Sequence, residues 1–350
     1  MFKYTQAACI ICLVVINAFL FTFAVNDIEN EWNRFKLKYS KEYKSDAEDL
    51  FRMNIFKENQ QKIAQHNVAF DKGEVPFKTA LNKFADWTND EFVQISGRVD
   101  TSDQTAPKDT NNDVNKTIID STVFVSPANV IIPPSVDWRE KGAVNEIKDQ
   151  GRCGSCWAFA ASAALESHHF IKTGQLVSLS EQNIIDCSTE YGTHGCNGGF
   201  RYYAFQYVKD NGGIESEESY PYEGTDNNTC RYNPKNSVTT DHGVVDIPEG
   251  DETALVAALA TVGPVSVSID ATHYSFRFYS TGVYFEPECL SQNVNGHAVL
   301  AIGYGTDENG QDYYLIKNSW STSWGNAGYF KLARNKNNHC AIASAAYYPL

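Results

Sequence analysis

Basic residues are in short supply, with 29 Lys and Arg against 43 Asp and Glu, a formal net charge of -14 over 350 residues. A chain this acidic repels nucleic-acid phosphates and anionic lipid, which disfavours a DNA-binding or membrane-surface role. No internal repeat is visible, which removes repeat architectures. A second cysteine pair at metal-site spacing is missing as well. Cys153-Gly154-Ser155-Cys156 has the spacing of a redox pair or half a zinc site, yet the later cysteines supply no matching pair. The segment ahead of it is turn-like, whereas a thioredoxin-like site wants a strand there.

What is present reads as a globular, exported chain. Hydrophobic residues make up 42% and charged residues 21%, which excludes pervasive disorder. Lys3 precedes a long uncharged run from Tyr4 to Val25, and Thr22-Phe23-Ala24 supplies small residues at its end. Residues 1–24 are therefore expected to be a signal peptide. The competing reading is a membrane anchor, since the run is long enough to span a bilayer. Of nine cysteines, Cys9 and Cys12 would leave with the signal, and seven remain. Exported chains pair their cysteines, so at least one thiol is left over, either a buried spare or a nucleophile. Asn115 and Asn227 head glycosylation sequons.

Three regions follow the signal. Residues 25–97 are charged with helical periodicity, residues 98–131 are polar without sustained periodicity and read as a flexible linker, and residues 132–350 are richer in Gly, Cys, Trp and Tyr. In the first region Glu48, Arg52, Phe56, Asn59, Ile63 and Asn67 fall at spacings of 4, 4, 3, 4 and 4, one face of a helix. In the third, Cys156 to Gly174 predicts a helix with Ser155 as N-cap. A second helix is expected from Ser178 with Glu181 completing a capping box, and a third over Tyr203 to Lys209. His168 and His169 would form a polar face at the end of the first of these, where a cation suits the dipole. Val265–Ile269, Ala298–Ile302 and Tyr313–Ile316 read as strands. Helices first and strands later suggest two packed lobes of α+β type.

The densest chemical signal is Asp149-Gln150-Gly151-Arg152-Cys153-Gly154-Ser155-Cys156-Trp157. A cysteine at the first position of a helix gains thiolate character from the helix dipole. Glycines ahead of it let a substrate backbone approach, and Gln150 offers an amide to a developing oxyanion. Of eight histidines, His297 stands at the mouth of a buried strand. Asn318 in Lys317-Asn318-Ser319-Trp320 could orient its imidazole, with Trp320 shielding that bond from water.

These blocks, in this order, resemble the active-site blocks of papain-like proteases. The face from Glu48 to Asn67 and Asn82-Lys83-Phe84-Ala85-Asp86 resemble the propeptide signatures of the cathepsin L-like branch. The resemblance implies a papain-like two-lobed fold, with a helical left lobe, a β-barrel-like right lobe and a helical prodomain that inhibits. It implies Cys156 as nucleophile, His297 as base and acid, Asn318 as orienting residue, and Gln150 with the Cys156 amide as oxyanion hole. Cys156 and His297 would rest as a thiolate–imidazolium pair. Disulfides Cys153–Cys196, Cys187–Cys230 and Cys289–Cys340 are implied too, leaving Cys156 free.

Substrate backbone would lie on Gly198 and Gly199. Phe200, Arg201, Ser268, Gly296 and Ala345 would line the pocket for the side chain two residues before the cut, with Trp320 nearby. An apolar floor at Ala345 implies a preference for apolar side chains there, with Arg201 a departure that could draw an acidic group. Ala80, Gly296 and Ser321 depart from the family's usual residues. The implied partners are protein and peptide substrates, the chain's own propeptide and cystatin-like inhibitors. No cofactor or metal, no nucleic acid and no membrane after signal removal are expected, and the working form is a monomer in the lysosome or extracellular space. A catalytically silent homologue, acting as a binding or storage protein, is the alternative.

Overall fold

The computed structural model describes residues 28–95, 121–291 and 296–350. The signal stretch, the Asn115 sequon and most of the linker lie outside the described residues. Two helices of the first region build a core of their own: α1, residues 28–38, and α2, Asp46–Asp71. Trp32, Phe35, Phe56 and Ile63 pack together there, and Phe278 of the later chain joins them. Ser45 caps α2 by accepting from the Glu48 amide.

The face expected from the spacing is a set of fasteners. Asn59 donates to the Ala85 carbonyl, Asn67 bonds both backbone groups of Thr79, and Arg52 forks onto Glu91. Asn67 ties α2 to the strand β1 (Phe77–Thr79), and Arg52 and Asn59 tie it to the segment running into α3 (Asn89–Ile95), while Glu48 stays on its own helix, accepting from the Lys44 amide and pairing with Arg52. Ala80 lies outside the positive-φ residues, so the missing glycine costs no strain there.

After β2 (Ser121–Val123) and β3 (Val136–Asp137) come the helices α4 (Cys156–Thr173), α5 (Glu181–Cys187) and α6 (Arg201–Asn211). Gly174 and Gly212 end α4 and α6 in left-handed geometry. Two capping expectations fail. Ser155 makes no cap bond, because its hydroxyl pairs with Tyr222. Ser180, and not Ser178, caps α5, and Glu181 turns inward to Lys148. His168 is not a polar-face cation either. It stacks on Tyr348 and bonds the Pro264 carbonyl, and burial holds its proton affinity down.

The remaining elements are β4 (Ile214–Glu215), β5 (Ser237–Thr239), β6 (Val244–Asp246), α7 (Glu252–Thr261), β7 (Val265–Ile269), α8 (Tyr274–Arg277), β8 (Tyr279–Tyr284), β9 (His297–Thr306), β10 (Asp312–Lys317), β11 (Tyr329–Ala333) and β12 (Ala346–Pro349). One sheet runs β1-β8-β11-β10-β9-β7-β12-β6-β2, with β3 on β9. It is an open path and not a closed barrel. Its helix-facing residues Ala298, Leu300 and Ile302 share a core with α4, α5 and α6, while its other face carries the larger aromatic cluster.

Both edges of this sheet come from residues ahead of 132: β1 antiparallel to β8, and β2 parallel to β6. The end of the expected flexible linker is thus ordered. Thr122-Val123-Phe124-Val125 is a β-branched and aromatic run inside a polar stretch, and Phe124 buries itself edge-on to Tyr348.

Candidate active site

Cys156 opens α4 and is almost wholly buried. The backbone before it is threaded tightly. A Cβ on Gly154 would meet the Cys196 carbonyl at 2.5 Å and the Gln94 carbonyl at 2.9 Å, so only glycine lets those chains pass. Across the interface between helices and sheet, the Ala298 amide donates to Cys156 Sγ at 3.4 Å. The nucleophile therefore lies against the residue that follows His297.

His297 is fully buried, and its Nε2 is 2.7 Å from Asn318 Oδ1. Trp320 stacks on the imidazole with centroids 4.3 Å apart. Nε2 is thus committed to Asn318 under a tryptophan cover, and Nδ1 has no hydrogen-bond partner. Asn318 Oδ1 also accepts from the Ser319 amide, which fixes the side chain's orientation. Gln150 is held from behind: its Oε1 accepts from Ser319 Oγ at 2.8 Å and from Trp320 Nε1 at 3.1 Å. That leaves its Nε2 pointing at the Ile95 carbonyl, 2.6 Å away, in addition to the Cys153 carbonyl.

Burial pushes the Cys156 thiol up to about 11, despite the lowering influence of the Ala298 amide and Arg201. Burial likewise pulls His297 down to about 4, with Asn318 opposing and Arg201 assisting. In this covered state the expected thiolate–imidazolium pair is the disfavoured form, because neither charge is solvated.

The cover is the chain's own N-terminal region. Phe84 and Phe92 pack edge-on against Trp320 at 5.5 and 5.2 Å. Arg277, buried in the aromatic cluster, donates to the carbonyls of Phe84, Trp87 and Thr88. Its own carbonyl accepts from Asn82 and Trp324. Sequence reasoning missed Arg277 and Ile95, and it assigned no bond to Ser319 or Trp324, although both stand in or beside the Asn318 block. An arginine inside the run Phe276-Arg277-Phe278-Tyr279 was the one available signal.

Three disulfides are present: Cys153–Cys196, Cys187–Cys230 and Cys289–Cys340. Among the described residues, Cys156 is the cysteine that is in no disulfide. Among the remaining residues singled out from sequence, Gly199 packs under Trp157, whose ring a Cβ would meet at 2.6 Å. Gly198 is buried beside it, and Phe200 precedes α6. Arg201, Ser268 and Ala345 come together: the guanidinium bonds Ser268 Oγ and the Ala345 carbonyl, both at 2.6 Å. Gly296 directly precedes His297, and Asn227 is exposed on a loop. A nucleophile, a base oriented by an amide, and an amide donor aimed at a carbonyl are together what acyl transfer requires.

Residues 132–350 match the papain family cysteine protease domain, and residues 32–92 match the cathepsin propeptide inhibitor domain. A cathepsin L-like peptidase of Aedes aegypti is 56% identical over 323 residues, covering 92% of this chain and 93% of that one. Human cathepsin L2 is 46% identical over 326 residues, 92% of each chain. Digestive procathepsin L 3 from the Tenebrio molitor larval midgut superposes with a TM-score of 0.82 at 43% identity, over 92% of this chain and 98% of that structure.

Proposed function

This chain belongs to the papain family of cysteine proteases and is a cathepsin L-type peptidase made as a proenzyme, and from that premise we propose how its residues divide the work. Once the N-terminal region has left, Cys156 Sγ attacks the scissile carbonyl. His297, through Nδ1, holds the thiol proton and passes it to the leaving amine as the C–N bond breaks. Water then adds to the thioester, His297 takes one of its protons, and the S–C bond breaks to free the acid and restore the thiol. Asn318 keeps the imidazole in register. The Gln150 amide and the Cys156 backbone amide receive the developing oxyanion. One observation carries this reading. The Gln150 amide already holds a main-chain carbonyl of the N-terminal region, that of Ile95.

The product of maturation would be residues from about Ile132 onward, freed by cuts near Ile132–Pro134 at acidic pH. The site would then cleave within polypeptides. A signal over residues 1–24 would direct the chain to the lysosome or the extracellular space, and among the described residues no helix is long and apolar enough to cross a membrane. By family likeness, cystatin-like proteins would inhibit it and a monomer would be its working form.

The test is alkylation of acid-processed protein with iodoacetamide, a reagent that needs no side-chain pocket. Adduct on Cys156, with loss of hydrolysis of an unfolded protein substrate, is expected. Processed, folded protein that neither takes the label at Cys156 nor hydrolyses the substrate would overturn the reading in favour of a silent homologue.

A further inference from the structure

Arg201 is a buried cation with no anion to answer it. It is 5% exposed, at the first position of α6. Its two bonds go to neutral acceptors, Ser268 Oγ and the Ala345 carbonyl, and Tyr347 lies 5.3 Å beneath the guanidinium. Its Nε has no hydrogen-bond partner. The ionisable groups facing it are the Tyr347 phenol, the Cys156 thiol and the His297 imidazole, and no carboxylate is among them. A guanidinium carries five N–H donors, so this one is under-used. Burying such a group without a counter-charge is costly, and buried charges are ordinarily paired.

Its place gives that cost a purpose. Ser268 on β7 pairs in register with Ala298 on β9, the residue whose amide touches the nucleophile's sulfur. Arg201 thus lies within one strand of Cys156, and its charge is felt at both Cys156 and His297. A substrate carboxylate arriving there would receive charge-assisted hydrogen bonds, bidentate if geometry allows.

We propose that the pocket bounded by Arg201, Ser268 and Ala345 selects an acidic side chain, Glu or Asp, two residues before the scissile bond. This replaces the apolar preference that Ala345 alone suggests, and it rests on the cysteine-peptidase reading above. The purely structural alternative is that Arg201 only pins α6 to the last strand through the Ala345 carbonyl. That role predicts no selectivity between Glu and its neutral isostere Gln.

The experiment uses processed enzyme whose active sites are counted by iodoacetamide. Peptides identical but for Glu, Gln or Leu at that position are compared by kcat/KM. Glu is expected to exceed Gln by about ten- to a hundredfold, the worth of a hydrogen bond to a charged group. The advantage should shrink as pH falls through roughly 4.3, where a free Glu takes up its proton. Arg201→Met should abolish the Glu advantage and favour Leu, while Arg201→Lys should keep part of it. Equal rates for Glu and Gln, or a dominant Leu preference in the wild-type enzyme, would overturn the proposal while leaving the peptidase assignment intact. Absence of both Cys156 labelling and hydrolysis would instead remove the reading on which it rests.

Discussion

Two buried arginines lie in the cleft region, and they are solvated in opposite ways. Arg277, 3% exposed, sits in the aromatic cluster with Trp324 and stacks over Phe92 and Phe278. Its guanidinium donates to three carbonyls of residues 84–88, and its acidic neighbours are Asp86 and Glu91. All of these belong to the region expected to be cut away. Arg201 takes its bonds from Ser268 and Ala345, which stay. One cation therefore takes its protein acceptors from the region that departs, and the other takes them from residues that stay. The first is a latch, and the second is a permanent feature of the binding surface.

The largest effect that would break this contrast comes from Arg277→Leu. It leaves buried carbonyls of Phe84 and Trp87 without a charged donor, each such bond being worth about 1.5–3 kcal/mol. Measured on Cys156→Ser chain, which cannot process itself, amide-exchange protection of β1 should fall by about a hundredfold. Arg201→Met should leave that protection within a fewfold. Equal losses from both changes would mean that the two arginines serve one common structure.

Acid should act on the same closed state. Burial holds His297 down to about 4 while covered. With the cleft open, the imidazole would take up a proton near 6.5. As pH falls from 6.5 towards 4, the open state therefore binds a proton that the closed state refuses, and closure weakens by up to about tenfold per pH unit. Glu91 acts in a lower window. Burial opposes its charge, but the bonds from Arg52 and Thr88 prevail and hold it down to about 2. Its contribution, made through Arg52 and Thr88, is to the prodomain's own fold; it is complete above about 4.5 and is lost as pH falls towards 2. Protection of β1 should thus begin to fall before Glu91 is protonated, and Glu91→Gln should spare the upper window. If protection stays flat down to pH 4.5, His297 is not part of the trigger.

Below that comes Asn67→Ala. It strips both partners from the backbone of Thr79, a residue 2% exposed, and should cost the prodomain about 1–3 kcal/mol in a urea melt. Any effect on the Glu over Gln selectivity of the processed enzyme would contradict the separation of the two sides.

How much of this was legible depended on whether a residue's reason lay nearby in sequence. The face from Glu48 to Asn67 is legible from its spacing only as one side of a helix, and the meaning of Asn59 and Asn67 comes from the resemblance to a propeptide signature. Cys156, His297 and Asn318 stand in short blocks whose residue types already suggest the chemistry. Arg277 gives no such sign, because its acceptors lie some 190 residues earlier. Strand β2 was hidden by its polar surroundings, although Val123-Phe124-Val125 carries strand-forming side chains. The sheet's openness was equally unreadable: its two edges are set by long-range pairing of β1 and β2, not by any local pattern.

The smallest effect concerns the turn beneath Trp320. Ser321 has φ 69°, a left-handed conformation that costs a non-glycine residue about 1–2 kcal/mol. Glycine would relieve it, but would forfeit both contacts of Ser321 Oγ, with the Ser323 hydroxyl and from the Ser323 amide, and raise the entropy of the unfolded chain by about 0.4–1 kcal/mol. Ser321→Gly should therefore stabilise the fold by no more than about 1 kcal/mol, read as a higher urea midpoint with an unchanged slope. The turn adjoins the wall that touches both His297 and the prodomain's Phe84 and Phe92, yet it touches neither arginine's acceptors. Global stability should rise while β1 protection, taken as a local opening, stays put. If β1 protection rises in step, opening at Arg277 is coupled to the whole wall, and the latch is wider than one guanidinium.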